Sequence, residues 1–396
     1  MPSTLRANHP SSNLPALSAG TPAIETICGH VVQWLDRGKD LLAAQLDAIN
    51  TAKLSVRFEQ YIYRASEVGD RFRDALVTAA RRGVHVTVMI DHAGSITLPS
   101  DYFDTLEASG GQLIWFNPVR WRFWSFRNHR KLLVVDDAVA YIGGCNIAPE
   151  YDGDGIEEGW RDGGLSIAGH AAHLLAQAFD RQTRMADKPI WKVRRQTYSG
   201  RIPAGSHVTL LLTRPGFHQN SFDHALRQDL HQAQDVAITC GYFLPTGRTR
   251  RALIKAAQRA NRFRLLLAGQ CDVPLFQTAS RALYRKFQRK GAEIYEYQPQ
   301  VLHAKVLVVD DVVYIGSSNL DPRSLSINFE LMLRIESPEL AKQARETFER
   351  DLAYSDLMKK VSWHRPATWW MRFKQKAAYW LFARLDTALA QRMLRS

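Results

Sequence analysis

The sequence predicts an α/β protein made of two related halves, and three observations support this fold class. Apolar segments with the patterns typical of strands alternate with helical segments along most of the chain. The order strand, helix, strand, helix, strand occurs twice. Each run ends in nearly the same string, NHRKLLVVDDAVAYIGGCN at 128–146 and LHAKVLVVDDVVYIGSSN at 302–319. We therefore expect an internal duplication rather than two unrelated domains.

The elements of each run follow from hydrophobic periodicity and from glycines that stop helices. In the first run we expect a strand at 54–63, a helix at 67–82 stopped by Gly83, a strand at 84–91, a short helix at 101–108 and a strand at 112–116. The second run repeats the order with a strand at 235–243, a helix at 247–260, a strand at 262–269, a helix at 275–290 and a strand at 292–297.

Breaks in this pattern suggest the domain boundaries. The Pro- and Ser-rich residues 1–22 lack the features of a secretory signal, and we expect a flexible arm. We assign 23–190 to the first domain, 191–205 to a linker, 206–355 to the second domain and 356–396 to basic, aromatic helices with possible membrane contact. The longest uncharged stretch of apolar character, Gly163–Phe179, is too short and too polar to span a bilayer.

Composition limits the partners and the site chemistry. Among 396 residues, 52 Lys and Arg against 39 Asp and Glu give a net charge of +13, which favours nucleic acid or an anionic membrane surface as partner. The four cysteines show no CxxC spacing, so we expect reduced thiols, no zinc site and no cofactor. Cys145, inside the first repeated string, is interpreted as a small filler residue.

The repeated strings carry the candidate catalytic residues. Side chains two residues apart on a strand share a face, so each histidine should share a face with the lysine that follows it. Two aspartates lie an odd number of residues further on, and we expect them to support the local backbone. The loops GGCN and GSSN return an asparagine and backbone N–H groups suited to a phosphate. The residues are His129, Lys131, Asp136 and Asn146 in the first string, and His303, Lys305, Asp310 and Asn319 in the second.

Such a set describes a phosphoryl-transfer site that needs no metal. Lysine and asparagine side chains can hold phosphate oxygens, while one histidine attacks phosphorus and the other protonates the departing alcohol. The unperturbed pKa of histidine, close to neutrality, suits both tasks. A single histidine would be interpreted as an ordinary structural residue. The match at five residue types in two strings argues against that interpretation here.

The two strings resemble the paired HxKxxxxD signatures of the phospholipase D superfamily, over about 56–330 of the chain. Within that superfamily the chain is most similar to bacterial cardiolipin synthases of the shorter B type, which lack amino-terminal membrane spans. The segments LHAKVLVVDD, GSSNLDPRSLSINFE, CGYFLP and RPATWW carry this resemblance. It implies pseudo-twofold halves, each a mixed sheet flanked by helices. It also implies transfer of a phosphatidyl group through a phosphohistidine, with the two histidines, lysines and aspartates of the strings as the catalytic set.

Further residues are candidates for supporting the histidines. Asp162 and Glu330 follow the two strings, and an acid bonded to the far nitrogen of a histidine fixes its tautomer. Each acid is alternatively a solvated strand-end residue, and whether each acts within its own half or across halves stays open. Ser317 is a phosphate-binding candidate, whereas the first loop has Gly144 at the corresponding place. Glu59 is interpreted either as an acceptor contact or as a structural residue.

Two segments that mix aromatic and basic residues bear on the partner. One lies at 119–127 and the other in the tail at 363–395. Trp121, Trp124, Trp369 and Trp370 are our membrane-contact candidates, since aromatic rings beside arginines suit an anionic interface. Stacking on single-stranded nucleic acid and packing on the core remain alternatives.

Three functions are therefore compared. The first is cardiolipin synthesis by phosphatidyl transfer between two phosphatidylglycerol molecules with release of glycerol, at the cytoplasmic side of a bacterial inner membrane as a peripheral protein. This function implies phosphatidylglycerol and cardiolipin as partners and no nucleic acid. The second is a phospholipase D-type phosphodiesterase or nuclease, and the third is a catalytically silent protein that binds anionic membranes. The intact His and Lys pairs disfavour the third.

Overall fold

The fold is known from a computed structural model that describes residues 24–27, 29–117, 126–186, 200–215, 220–245 and 247–358. Within these ranges, no helix is both long and apolar enough to traverse a bilayer. The expected amino-terminal arm lies outside the described residues, as does most of the expected carboxy-terminal region.

The first half is built on an eight-stranded mixed sheet. Its strands are β1 (Ile24–Ile27), β2 (His30–Leu35), β3 (Ser55–Gln60), β4 (His85–Asp91), β5 (Gln112–Phe116), β6 (Leu132–Val135), β7 (Val139–Gly143) and β8 (Gly164–Ala168). The spatial order is β1-β2-β8-β7-β6-β3-β4-β5. Strands β3, β4 and β5 are parallel, and β6 joins them antiparallel. The helices span Gly38–Thr51, Glu67–Arg81, Asp104–Ala108 and His170–Thr183, with a 3₁₀ turn at Pro149–Tyr151.

The second half repeats this arrangement in a nine-stranded sheet. Its strands are β9 (Arg201–Pro203), β10 (Val208–Thr213), β11 (Asp235–Cys240), β12 (Arg262–Ala268), β13 (Glu293–Tyr297), β14 (Lys305–Val309), β15 (Val312–Gly316), β16 (Glu330–Glu336) and β17 (Ser355–Leu357). The order β17-β13-β12-β11-β14-β15-β16-β10-β9 matches the first sheet strand for strand, with β17 added at one edge. The described helices are Ser221–Asp229, Gly247–Arg259, Pro274–Gln288, Pro322–Ser326 and Pro338–Leu352.

Alternation along the strands divides the apolar residues between layers. In β6, Leu132 and Val134 face a core shared by the two halves, while Leu133 and Val135 face a core of the first half alone. The shared core surrounds helices His170–Thr183 and Pro338–Leu352, which lie between the sheets. The remaining longer helices cover the outer faces. This confirms the predicted α/β fold of two halves, each a mixed sheet flanked by helices.

Several elements differ from the sequence prediction. The segment 191–205 was expected to be a linker, but β9 within it pairs with β10 at the edge of the second sheet. The uncharged stretch at 163–179 forms β8 and most of an inner helix. Its low charge reflects burial between two sheets, because both sides of that helix contact apolar layers. The helices at 38–51 and 338–352 were not predicted, since neither lies in the repeated βαβαβ pattern.

Ion pairs join the halves beside this shared core. The Nε of Arg161 donates to Asp351 at 2.8 Å, and both side chains are buried. Asp36 of the first half pairs with Arg350 of the second and accepts a hydrogen bond from Thr347 at 3.0 Å. Because a buried charge must remain paired, these contacts hold the relative position of the two sheets.

Candidate active site

The two halves exchange short backbone bridges at the start of the repeated strings. Asn128 pairs with Phe329, and Leu302 pairs with Arg161. The N–H of His129 donates to the carbonyl of Phe329 at 3.0 Å, and the N–H of His303 donates to the carbonyl of Arg161 at 2.9 Å. Each histidine is therefore attached to the residue that precedes the acid of the opposite half.

These bridges produce two crossed histidine–carboxylate pairs. The Nδ1 of His129 lies 3.1 Å from Oε2 of Glu330, and the Nδ1 of His303 lies 2.6 Å from Oδ2 of Asp162. Both acids are almost completely buried, so neither is a solvated strand-end residue. Contacts at Nδ1 leave Nε2 of each ring for substrate. The question left open by the sequence is settled geometrically, because each acid contacts the histidine of the other half.

The two lysines lie beside the histidines that precede them. Lys131 donates to the backbone carbonyl of His129 at 2.8 Å, and Lys305 donates to the carbonyl of His303 and lies 2.8 Å from its Nδ1. Burial lowers the pKa of Lys131 to about 7, and the charge of Lys305 adds to this shift. Burial also lowers the pKa of Lys305. The two cations therefore interact across the halves, and an anion between them would relieve their repulsion.

Both imidazoles are held in the neutral form at neutral pH. Burial lowers the pKa of His129 below its ordinary value, although Glu330 opposes the shift. Burial and the charge of Lys305 lower the pKa of His303 to about 4. For Asp162, burial favours a higher pKa, but Lys305 and His303 outweigh it and hold the pKa below the ordinary value. A neutral ring beside an ionised acid is the state that a nucleophile requires.

The low pKa of His303 predicts a loss of stability in acid. Between pH 6.5 and pH 4 the unfolded chain binds a proton at this ring and the folded chain does not, so the free energy of unfolding falls as pH falls. Denaturant unfolding at pH 6.5 and at pH 4 measures this fall in the free energy of unfolding. In His303→Gln we expect the fall to be smaller than in wild type by on the order of 2–3 kcal/mol. The exposed His85→Gln is the control and should behave like wild type. Equal falls in all three proteins would contradict the assignment.

The two aspartates of the strings support backbone, as their odd spacing indicated. The carboxylate of Asp136 accepts hydrogen bonds from the N–H groups of Lys53, Leu54 and Ser55 at 2.7–3.3 Å. Asp310 accepts from Gln234 and Asp235 at 2.8–2.9 Å. Both aspartates have φ near +50°, which Asp tolerates in a tight turn. The two aspartates lie at the ends of β6 and β14 that are away from the histidines. There they fix the turns of the hairpins β6–β7 and β14–β15.

The asparagines and the loop amides differ from the expectation. Asn146 accepts from the N–H of Ile62 at 3.1 Å and donates to Tyr151 at 2.8 Å, so it braces its own half. Within the described residues, Oδ1 of the buried Asn319 has no hydrogen-bond partner. The loop N–H groups were expected to be free. Instead those of Gly144 and Ser317 donate to carbonyls of the neighbouring strand segments, because the loops continue the sheet pairing.

Ser317 and Gly144 make the two crossed pairs unequal. The hydroxyl of Ser317 donates to Oε2 of Glu330 at 2.5 Å, so it orients the acid instead of pointing to substrate. A Cβ at Gly144 would lie 2.3 Å from a carboxylate oxygen of Asp162. Gly144 therefore leaves room for Asp162, whereas Ser317, at the corresponding place in the other half, holds Glu330 by a hydrogen bond.

A matched pair of variants tests this difference. Gly144→Ser should displace Asp162, reduce turnover on the order of 100-fold or more and cost about 1–3 kcal/mol of stability, because the Cβ and the carboxylate cannot both fit. Ser317→Gly removes the hydrogen bond to Glu330 and the one that the hydroxyl accepts from the N–H of Leu331 at 3.0 Å. It creates no steric clash and should reduce turnover by only about tenfold. Initial rates and denaturant unfolding check both. A Gly144→Ser enzyme with the wild-type rate would refute the steric role.

Glu59 occupies a buried structural position. Its side chain has no exposed surface, and it accepts from Nδ2 of Asn128 at 2.7 Å and lies 3.3 Å from Arg130. Burial raises its pKa. The acceptor-contact interpretation is therefore wrong for this conformation, and Glu59 instead anchors the residue that precedes His129.

Sequence reasoning missed the aromatic rings that enclose the histidines. The ring of His303 lies between 5.3 and 5.9 Å from those of Tyr151, Trp160 and Tyr242, measured between centroids. The ring of Tyr61 lies 4.8 Å from His129. Tyr242 did stand in CGYFLP, one of the segments that carry the family resemblance. Pattern alone did not reveal that these rings would meet one imidazole.

The four tryptophans proposed to contact membrane, Trp121, Trp124, Trp369 and Trp370, lie outside the described residues. Of the cysteines, Cys145, Cys240 and Cys271 are free thiols in the described part of the chain. Cys145 is buried, and burial raises its thiol pKa well above the ordinary value, in agreement with a filler role. No grouping of three or more His, Cys, Asp or Glu suited to a metal occurs among the described residues.

Comparison with protein families identifies the family of the chain. A family model described as "Cardiolipin synthase, PLD-like domain" matches residues 46–151 and 226–352, which include both repeated strings. The chain belongs to this family. It is a phosphatidyltransferase of the phospholipase D superfamily. The matched segments include His129, His303 and Glu330, whereas Asp162 lies just outside the first of them.

Individual relatives agree with the family match. The chain is 30% identical over 362 residues to cardiolipin synthase B of Shigella flexneri, covering 89% of this chain and 87% of that protein. The identity to cardiolipin synthase B of Escherichia coli K12 is 29% over the same length. Cardiolipin synthase 1 of Bacillus anthracis is 29% identical over 341 residues, covering 82% of this chain and 67% of that protein.

Solved structures show the same fold. Phosphatidylserine synthase of Haemophilus influenzae aligns over 91% of this chain and 94% of its own, with a TM-score of 0.70 and 14% identity. Polyphosphate kinase of Porphyromonas gingivalis aligns over 90% of this chain and 51% of its own, with a TM-score of 0.55 and 15% identity. At these identities the likeness concerns the fold alone.

Proposed function

We propose that this phosphatidyltransferase makes cardiolipin from two phosphatidylglycerol molecules and releases glycerol. The observation that carries the proposal is the pair of crossed contacts, His129 with Glu330 and His303 with Asp162, which brings two neutral imidazoles and two lysines to one junction of the halves. The family and its relatives named cardiolipin synthase supply the substrate class.

In the first step Nε2 of His129 attacks the phosphorus of the donor. The bond from phosphorus to the glycerol headgroup oxygen breaks, and that oxygen takes a proton from Nε2 of His303 as glycerol leaves. The imidazole of His129 keeps its Nδ1 proton, and Glu330 stabilises the positive charge that forms on the phosphorylated ring. We assign the nucleophile to His129 by family resemblance.

The acid role of His303 requires substrate in the site. Its pKa of about 4 in the free enzyme reflects burial and Lys305. A bound phosphodiester brings negative charge between Lys131 and Lys305, which favours protonation of the ring. Asp162 then stabilises the imidazolium, so the proton is available where the leaving oxygen develops charge.

In the second step His303 acts as the base. It removes the proton from the primary hydroxyl of a second phosphatidylglycerol, whose oxygen attacks phosphorus and breaks the bond to His129. The aromatic rings of Tyr151, Trp160 and Tyr242 shield His303 from solvent, and this shielding supports transfer to the lipid alcohol over transfer to water. Lys131, Lys305 and Asn319 would hold the phosphate oxygens during both steps. Peripheral binding at the inner membrane, on the cytoplasmic side, completes the proposal.

Purified protein incubated with labelled phosphatidylglycerol in detergent micelles tests this function. Equal amounts of cardiolipin and free glycerol are expected. Phosphatidic acid as the sole lipid product would show a hydrolase, and cleavage of single-stranded DNA with no lipid product would show a nuclease. Absence of turnover with retained vesicle binding would favour the silent membrane-binding protein.

A further inference from the structure

The outer helices of the two halves differ sharply in charge. Helix Gly247–Arg259 carries five cations and no acid. Its counterpart after the equivalent strand of the first half, helix Glu67–Arg81, carries three cations and three acids. Since the fold at these positions is the same, packing does not require the excess of positive charge in the second half.

Four of the five cations form one stripe. Arg248, Arg251, Lys255 and Arg259 are spaced by three, four and four residues, which places them along one side of the helix over about 16 Å. All four are exposed. With Arg227 and His231 of the preceding segment they line a groove of about 250 Å³, which we call the basic groove.

The charge of the basic groove is not neutralised by neighbouring acids. Within the described part of the chain, no carboxylate forms an ion pair with Arg248, Arg251 or Lys255, whereas Arg227 pairs with Asp223 at 3.0 Å. The counterpart helix behaves differently, because its Arg71 and Arg73 are paired with acids. Like charges held together without partners cost free energy unless an anion compensates them.

The basic groove is also connected to the catalytic centre. The loop between β11 and helix Gly247–Arg259 starts at Gly241, whose N–H donates to the carbonyl of Ala304 at 3.2 Å, next to His303. The following residue, Tyr242, places its ring 5.9 Å from that of His303. A surface bound along the stripe would therefore meet the protein beside the loop that encloses His303.

We propose that the basic groove docks the protein on an anionic bilayer, with lipid phosphates as the ligands of Arg248, Arg251 and Lys255. This inference rests on the proposed function, since an enzyme of phosphatidylglycerol must reach lipids in a membrane. Each cation near such a surface strengthens binding by roughly fivefold, and the attraction weakens as salt rises. The groove needs no inserted helix to do this.

The test compares two triple variants with equal loss of charge. Arg248→Gln/Arg251→Gln/Lys255→Gln neutralises the groove, and Gln has a similar helix propensity. Arg37→Gln/Arg81→Gln/Lys342→Gln removes three cations elsewhere and is the control. Affinity for vesicles of phosphatidylglycerol in phosphatidylcholine is measured by sedimentation. The groove variant should bind on the order of 100-fold more weakly than wild type, whereas the affinity of the control should stay within about threefold of wild type. Vesicles of phosphatidylcholine alone should bind all three proteins weakly.

Activity separates docking from chemistry. The groove variant should keep its rate in detergent micelles and lose rate on vesicles. Equal vesicle binding by the groove variant and wild type, or equal losses in both variants, would overturn the docking proposal. Loss of binding to a single-stranded oligonucleotide with vesicle binding retained would also overturn it and point to nucleic acid. A wild-type enzyme that makes no cardiolipin in micelles would reject the proposed function, independently of the vesicle result.

Discussion

Replacing either histidine of the proposed mechanism should abolish the proposed cardiolipin formation. We expect His129→Ala and His303→Ala each to lower turnover by a factor on the order of 10⁵–10⁶, because one removes the nucleophile and the other removes the group that moves both protons. The two losses should be similar and should not add in the double variant, since the imidazoles act in one sequence of steps. Initial rates with labelled phosphatidylglycerol in micelles measure all three variants.

The exposed His85→Ala is the control for these variants and should keep the wild-type rate. Both catalytic histidines are largely buried, so denaturant unfolding should accompany the rates to show that each variant folds. A folded His303→Ala enzyme with a rate near that of wild type would remove His303 from the proton transfers. The same result for His129→Ala would remove the covalent intermediate.

The second large effect should come from the crossed acids. Glu330→Gln and Asp162→Asn should each lower turnover on the order of 10³–10⁴-fold, because an amide cannot stabilise the imidazolium and favours the wrong tautomer. The crossed geometry adds a sharper expectation. Burial lowers the pKa of His129 and the charge of Glu330 partly offsets this. Glu330→Gln should therefore lower the pKa of that ring, in the other half, still further and leave the pKa of His303 little changed.

Titration of ¹⁵N-labelled histidine rings by NMR measures these shifts. Asp162→Asn should give the mirror result, with a lower pKa for His303 and little change at His129. Each acid variant therefore serves as the control for the other. If Glu330→Gln shifted His303 instead of His129, the acids would act within their own halves and the crossed arrangement would be wrong.

The duplicated strings were sufficient to predict the fold class and the central residues. A strand alternates its side chains by geometry, so the shared face of each His and Lys and the backbone role of Asp136 and Asp310 followed from spacing. Asp162 and Glu330 were candidate partners because each follows its string and an acid bonded to the far nitrogen of a histidine fixes its tautomer. Each of these inferences depends on local chain geometry, which a sequence records directly.

The remaining features depend on contacts between distant segments. The crossing of Glu330 and Asp162 to opposite halves follows from the bridges at Asn128–Phe329 and Arg161–Leu302, which no local pattern shows. The sequence could not decide the role of Glu59, because the burial of its side chain depends on which layer of the fold covers it. The loop N–H groups were expected to be free, but strand pairing continues into the loops and uses those of Gly144 and Ser317.

Mass spectrometry of the covalent intermediate tests the central claim most directly, namely that the two halves form one reaction centre. Protein quenched in alkali during turnover, where a phosphohistidine survives, should carry one phosphatidyl group per chain, located at His129. The group should be absent from His129→Ala, and it should form only slowly in His303→Ala, because that variant lacks the acid that protonates the departing glycerol. Two groups per chain, one on each histidine, would mean that the halves react separately and would contradict the account, as would the absence of any adduct on either ring.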